Sequence, residues 1–228
     1  MTESIAQLQV LYEDNHIIVI NKRVGDLVQG DKTGDKPLSE LVKEYIKVKK
    51  NKPGNVFLGV VHRLDRPTSG VVIFARTSKA LSRLSEMFRK KTIEKTYWAI
   101  VKQLPEATSG TLKSYLKKNP RNNRSTSYNK QIAGSKESIL HYTTKKSLDR
   151  YHLLEISLET GRHHQIRCQL AAIGSPIKGD LKYGFDRSNS DGGIHLHARQ
   201  VQFTHPVTKE PLTIQAPTPK DPVWNACS

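Results

Sequence analysis

The hydrophobic pattern of the chain switches repeatedly between short β-branched runs and helical spacing. Residues 8–12 and 16–20 are brief apolar runs on either side of Glu13-Asp14-Asn15, a spacer suited to a hairpin turn. Residues 21–36 hold three glycines, three aspartates and four bases, which predicts an exposed loop. Leu38, Leu41, Val42, Tyr45 and Ile46 then fall on one helical face, with Pro37 at its start and the basic run 49–53 at its stop. Residues 55–60 and 71–75 are apolar, β-branched and bounded by Gly and Pro, and read as two buried strands. Thr77 is placed to cap a helix whose apolar face is Ala80, Leu81, Leu84, Met87 and Phe88. A strand rich in aromatic and β-branched residues is expected over 93–101, and two more over 139–145 and 151–158. Thr160-Gly161 turns the chain into a short helix that Gly174 ends, and residues 194–216 look like a closing hairpin with its turn at 206–211. This alternation, without internal repeats, fits an α+β fold.

The segment between the strands expected at 55–60 and 71–75 concentrates the candidate chemistry. It reads Val61-His62-Arg63-Leu64-Asp65-Arg66-Pro67-Thr68-Ser69-Gly70, one carboxylate among three bases. A loop held between two rigid strands is where sites are usually built. Spacing alone fits equally a solvated turn whose aspartate only caps or pairs. Tyr97, in the strand over 93–101, likewise fits an ordinary core or rim tyrosine. The polar stretch 109–138 contains Lys117, Lys118, Arg121 and Arg124 without an intervening acid. Within it, residues 117–124 have turn chemistry and read as a mobile surface loop, open to solvation or to gripping RNA. At the short helix, Arg162, His163, His164 and Arg167 crowd a helix start that already attracts anions.

Composition narrows the partners. The 228 residues carry 37 Lys and Arg against 21 Asp and Glu, a net charge of +16. These bases are spread along the whole chain, so the folded body itself is basic. Such a field favours a polyanion, nucleic acid first and an anionic membrane second. A solubility-driven excess of lysine is the plainer explanation. Only two cysteines occur, Cys168 and Cys227, without a CxxC, which suits a reducing cytoplasm. No stretch approaches the roughly 20 apolar residues of a membrane span, and no basic start with an apolar core opens the chain. The expectation is a soluble, cytoplasmic protein. His163-His164 and His195-x-His197 lack a carboxylate or cysteine at a known ligand spacing, so no metal is expected. GxGxxG, GxxxxGK[ST] and GxSxG are all missing, which leaves a nucleotide cofactor and the obvious hydrolase reading without support.

His62-Arg63-Leu64-Asp65-Arg66-Pro67-Thr68-Ser69-Gly70, with Ala75 beyond, closely resembles the HRLDxxTSGxxxxA signature of RluA-type pseudouridine synthases. Three further stretches agree in order. Lys95-x-Tyr97-x-Ala99-x-Val101 is similar to the family's tyrosine strand. Gly161-Arg162-His163-His164-Gln165-Ile166-Arg167, followed by Gly174 and Gly179-Asp180, is similar to its arginine helix and the loop after it. Leu196-His197-Ala198-Arg199 and His205-Pro206-Val207-Thr208 resemble the closing strands. Together these blocks span residues 11–217. The resemblance implies a pseudouridine synthase fold: a bent, mixed, mostly antiparallel sheet with flanking helices and a central cleft. It also implies one catalytic domain over 1–228, with no small N-terminal RNA-binding domain ahead of it, and a monomer by default.

Isomerising uridine breaks the bond from ribose to the base nitrogen, rotates the base and rejoins it through carbon. No redox change or group transfer occurs, so the chemistry calls for no cofactor. Charge at the anomeric carbon must be stabilised or captured, which suits a positioned carboxylate. The resemblance assigns that role to Asp65. Whether it attacks sugar or base, or first helps form a glycal, stays open. By the same resemblance Arg167 pairs with the aspartate, Tyr97 stacks on the flipped base and moves a proton, and Arg63 fills the space the uridine leaves. His62, Arg66, Arg162, His164 and Lys22 are expected to contact RNA. Arg23 stands where the family usually has proline, the glycine two residues after Val101 is missing, and Gln169 replaces a common histidine. These departures bear on which RNA, ribosomal or transfer, is chosen. A second reading keeps RNA binding and folding assistance with catalysis secondary or lost. The retained Asp65, Tyr97 and Arg167 favour the enzyme. A sugar-bond hydrolase is a distant third, since no second carboxylate accompanies Asp65.

Overall fold

The computed structural model describes residues 7–31 and 34–227. In chain order, strands β1 (Gln9–Glu13) and β2 (Ile17–Lys22) precede helix α1 (Leu38–Lys49). Next come the short β3 (Gly59–Val60), β4 (Ser69–Ala75) and helix α2 (Ser78–Lys90). Five strands follow: β5 (Glu94–Val101), β6 (Ser109–Asn119), β7 (Arg124–Tyr128), β8 (Lys136–Ser147) and β9 (His152–Leu158). Helix α3 (Gln165–Ala172), strands β10 (Leu196–Thr204) and β11 (Pro211–Gln215) and helix α4 (Pro222–Cys227) complete the chain. Two compact units result, Met1–Glu94 with Arg199–Pro217 and Lys95–Ala198 with Thr218–Ser228.

In the first unit the strand order is β1-β2-β4-β10, with β3 on β4 and β11 on β10. Strands β2 and β4 are apolar on both faces because both faces are covered. Ile17 and Val19 join Val71, Ile73 and Ala75 under α2, whose Ala80 and Leu84 are fully buried. On the opposite face Ile18, Ile20, Val72 and Phe74 pack with Leu38, Val42 and Ile46 of α1. Asp14 makes the expected β1–β2 turn, its carboxylate accepting from the backbone N–H groups of His16 and Ile17 at 2.7 and 2.8 Å. Thr77 caps α2 through its hydroxyl, as its position suggested, accepting from Ala80 N–H at 3.2 Å. The closing hairpin forms from β10 and β11, with His205 Nδ1 accepting from the turn N–H groups of Val207 and Thr208.

The strand expected over 55–60 shrinks to Gly59–Val60. Phe57 is 48% exposed, so this apolar run is not buried on both faces and only its end reaches β4.

In the second unit the order β5-β9-β8-β6-β7 is antiparallel throughout. Ala99, Leu140, Leu154 and Ile156 of this sheet pack against Ile166 and Leu170 of α3. The stretch 117–124, expected to be a mobile loop, is instead the paired end of a hairpin, with β6 running to Asn119 and β7 starting at Arg124. The inward positions of this hairpin include Ser114 and Ser125, buried but hydrogen-bonded, so no apolar alternation betrayed them. Helix α4, absent from the sequence reading, carries Trp224 into a cluster with Ile100 and Leu153. Asp221 caps it, accepting from Val223 and Trp224 N–H, and Pro222 stands at its first position, a signal the sequence did offer. Among the described residues no helix is long and apolar enough to cross a membrane.

Candidate active site

The Asp65 loop is built from the first unit alone. It closes on itself through Thr68 N–H to Asp65 O at 3.0 Å, and Gly25 N–H reaches across to Arg66 O at 3.0 Å. Gly70, at φ +115°, then swings the chain into β4, a conformation only glycine adopts readily. His62 ties the front of the loop to the sheet. Its Nε2 accepts from Ile73 N–H at 2.9 Å, and its ring stacks on Phe88 of α2 at 4.6 Å. Arg63 is exposed. Arg66 is also exposed and pairs with Asp35 at 2.8 Å.

Lys22 departs most from its expected role. The sequence placed it in an exposed loop as an RNA contact; it ends β2 and is 1% exposed. Its ammonium donates to the carbonyls of Arg23, Arg66 and Thr68 at 2.9, 3.1 and 2.7 Å. Three donors meeting three acceptors leave nothing for a phosphate. Lys22 therefore rivets the stretch just after Asp65 to the end of β2. Burial pushes its pKa down to about 8, opposed by the nearby carboxylates of Asp26 and Asp65. The sign of the linkage follows. Between about pH 8 and the unfolded lysine's range near 10.4, the unfolded chain binds this proton and the folded chain does not, so stability from this group rises with pH there. Chemical denaturation from pH 7 to 10.5 is expected to show this rise in the natural protein and lose it in Lys22→Met; parallel curves for the two would count against it.

Tyr97 and Arg167 belong to the second unit. Tyr97 sits on β5 opposite Ile156, half-buried against the cluster of Ala99, Leu140 and Leu154. Arg167 projects from α3 and is 5% exposed. Its Nε and one terminal nitrogen donate to the two oxygens of Asp180 at 2.7 and 2.8 Å, a bidentate pair. Asp180 is itself 1% exposed, so the pair fixes the guanidinium plane deep in the unit. Spacing gave no sign of this pairing, because the residues lie 13 apart on different elements.

The start of α3 is a stacked aromatic knot. His164, at φ +53°, holds a left-handed conformation unusual for a side-chain-bearing residue. Its ring stacks on His163 with centroids 3.7 Å apart and meets Tyr183 edge-on. It is 8% exposed, and its Nδ1 lies 3.0 Å from the Tyr183 hydroxyl, so it serves the interior more than RNA. The Tyr183 hydroxyl also accepts from Ser125 N–H at 2.8 Å, and burial pushes its pKa up to about 12. Arg162 is exposed and donates to Glu137 O at 3.0 Å. The histidines that invited a metal reading have other work: Ser125 Oγ lies 2.9 Å from His163, while His195 stacks on Trp224 near Asp221.

The geometry thus gathers His62, Arg63, Asp65 and Arg66 in one loop pinned by Lys22 at the end of β2, and Arg162, His164 and Arg167 around one helix. Residues 16–172 match the family model described as RNA pseudouridylate synthase. The chain is 34% identical over 225 residues to an uncharacterised RNA pseudouridine synthase of Bacillus subtilis (strain 168), covering 97% of this chain and 72% of that one. It is equally 34% identical over 237 residues to ribosomal large subunit pseudouridine synthase D of Xylella fastidiosa (strain Temecula1), covering 96% and 70%. In fold it resembles human RNA pseudouridylate synthase domain containing 4, with a TM-score of 0.78 at 23% identity, covering 95% of this chain and 90% of the other. The chain belongs to the RNA pseudouridylate synthase family, with its α+β fold, and is an isomerase that converts uridine to pseudouridine in RNA.

Proposed function

We propose that this enzyme acts on structured ribosomal RNA, with Asp65 as the catalytic nucleophile once the target uridine has left its stack. One observation carries the reading: the Asp65 loop, with its family signature, is fastened immediately after Asp65 by the buried Lys22 ammonium. A carboxylate on a pinned loop loses little freedom in reaching the reacting atom. Arg167, held in plane by Asp180, and Tyr97 are the further residues assigned to the reaction, Tyr97 to stack on the flipped base and move a proton. Ribosomal RNA is favoured over transfer RNA because relatives from Xylella fastidiosa and Vibrio vulnificus are named as ribosomal large subunit pseudouridine synthases. We assign the enzyme, as a monomer, to the cytoplasm, where its two free, buried cysteines stay reduced.

Incubating the protein with large-subunit ribosomal RNA and with transfer RNA transcripts, then mapping the product, tests this. Pseudouridine in the ribosomal transcript without free uracil is expected. Modification of transfer RNA alone would redirect the substrate, and release of uracil would replace isomerisation by hydrolysis. Arg63, exposed at the loop, is the residue proposed to enter the vacated stack. Arg63→Ala is expected to slow isomerisation of structured RNA about tenfold more than that of a short single strand, by a few kcal/mol of unstacking at most. Equal losses on both substrates would remove the wedge role.

A further inference from the structure

The β6–β7 hairpin carries a surface that the catalytic assignment does not use. Residues 117–136 contain six bases and no acid. Lys117, Lys118, Arg121 and Arg124 crowd its tip, all exposed. Elsewhere on the same sheet surface charges are matched: Lys113 pairs with Glu137 at 2.9 Å, Lys145 with Glu155 at 3.5 Å and His141 with Glu159 at 2.7 Å. Among the described residues none of the four tip bases pairs with a carboxylate.

This tip is also held in shape against its own repulsion. Pairing continues to its end, with Lys117 opposite Thr126, Lys118 opposite Ser125 and Asn119 opposite Arg124. Two asparagine side chains brace the turn, Asn119 Oδ1 accepting from Arg121 N–H at 2.9 Å and Asn122 Oδ1 from Arg124 N–H at 3.1 Å. Lys182 donates to the turn carbonyls of Asn122 and Asn123 at 3.3 and 3.4 Å. Below the tip, Ser125 is clamped by the Tyr183 hydroxyl and His163, and the Arg124 guanidinium lies 5.1 Å over the Tyr183 ring. A solvated solubility face needs no such bracing. Like charges held close and rigid cost free energy in the free protein and return it when an anion binds, with little ordering left to do.

We propose that the β6–β7 tip is an RNA-backbone grip, in which Lys117, Lys118 and Arg121 contact phosphates while Arg124 braces the tip on Tyr183. The proposal rests on RNA being the substrate class, but not on which residue performs the chemistry. Contacts of this kind add affinity and a salt dependence without reading sequence.

The test replaces Lys117, Lys118 and Arg121 together by Ser in an Asp65→Asn background, so that binding is read without turnover. Affinity for large-subunit ribosomal RNA transcript is measured from 50 to 300 mM salt. The dependence of log affinity on log salt is expected to flatten by about 2–3, at roughly 0.7–0.9 per base removed, with affinity falling on the order of 10–100-fold. Lys145→Ser with Lys146→Ser, removing two charges elsewhere on the unit, is expected to change affinity less than about threefold. Arg substituted at Lys117 and Lys118 retains the charge and should keep natural binding, which separates lost charge from a damaged hairpin. An unchanged affinity and slope in the triple variant, or an equal loss in the control pair, overturns the grip. Turnover retained by Asp65→Asn would instead strike the nucleophile assignment and leave the grip standing.

Discussion

Asp65→Asn is expected to abolish isomerisation, lowering kcat by about 10⁴-fold or more, while leaving RNA binding within a fewfold of the natural protein. The magnitude is that expected when a covalent nucleophile is lost and only binding and orientation remain. Asparagine matches aspartate in shape, and the loop it sits on is held by backbone and Lys22 bonds that do not use the carboxylate: Thr68 N–H to Asp65 O, and the three carbonyls of the Lys22 cage. The fold is therefore retained and the loss is chemical. Single-turnover tritium release from labelled uridine in ribosomal RNA reads it directly. Near-natural rates in Asp65→Asn would remove Asp65 from the chemistry.

Asp180→Asn has the largest expected effect on stability. Arg167 and Asp180 are 5% and 1% exposed, and each oxygen of the carboxylate takes one guanidinium N–H. Removing one charge leaves the other buried and poorly matched, which costs about 3–5 kcal/mol. In a chain of 228 residues that lowers Tm by on the order of 10 °C. Activity falls with it, because Arg167 loses the partner that sets its plane. The local backbone adds to the sensitivity: Gly179, at φ +86°, sits so close that a Cβ would meet the Asn189 side chain at 2.6 Å. Calorimetry of Asp180→Asn beside Asp180→Ala separates the terms. Both variants unfolding within about 2 °C of the natural protein would mean the pair is dispensable.

What the residues revealed in advance follows their physics. Strands β2 and β4 were legible because both faces are covered by helices, so residues 17–20 and 71–75 are continuous apolar runs, mostly β-branched. Helix α2 was legible from its threonine cap and its single apolar face. The β6–β7 hairpin was hidden because serines interrupt its inward positions, Ser114 between Leu112 and Leu116 and Ser125 on β7. Ser114 meets the Gln169 amide at 3.0 Å, and Ser125 meets Tyr183 and His163, so polar residues occupy a buried face at no hydrogen-bonding loss. Lys22 misled for the opposite reason: a lysine in a Gly- and Asp-rich stretch reads as surface, yet two carbonyls of the distant Asp65 loop and that of neighbouring Arg23 converge on it. Asp65 was singled out by its motif, not by its spacing, which fitted an idle turn equally well. Asp180 and Tyr183 escaped as functional supports because long-range pairing leaves no periodic trace.

Gln169 illustrates how a departure from the family pattern settles into the structure. It is 2% exposed, and its amide nitrogen reaches the carbonyls of Leu112 and Ser138 as well as Ser114. It thereby fastens α3 to β6 and β8 within the second unit. Arg23, where the family usually has proline, pairs with Asp26 at 3.3 Å on the flank of the Lys22 cage. Both residues are held by partners within their own unit.

The most direct measurement is a nucleotide-resolution pseudouridine map of large-subunit ribosomal RNA from source cells lacking this protein. The map is repeated after the natural chain, and separately the Asp65→Asn chain, is restored. At least one pseudouridine should vanish without the protein, return with the natural chain and stay missing with Asp65→Asn. An unchanged ribosomal map, or full restoration by Asp65→Asn, would contradict the assignment of this enzyme and its nucleophile.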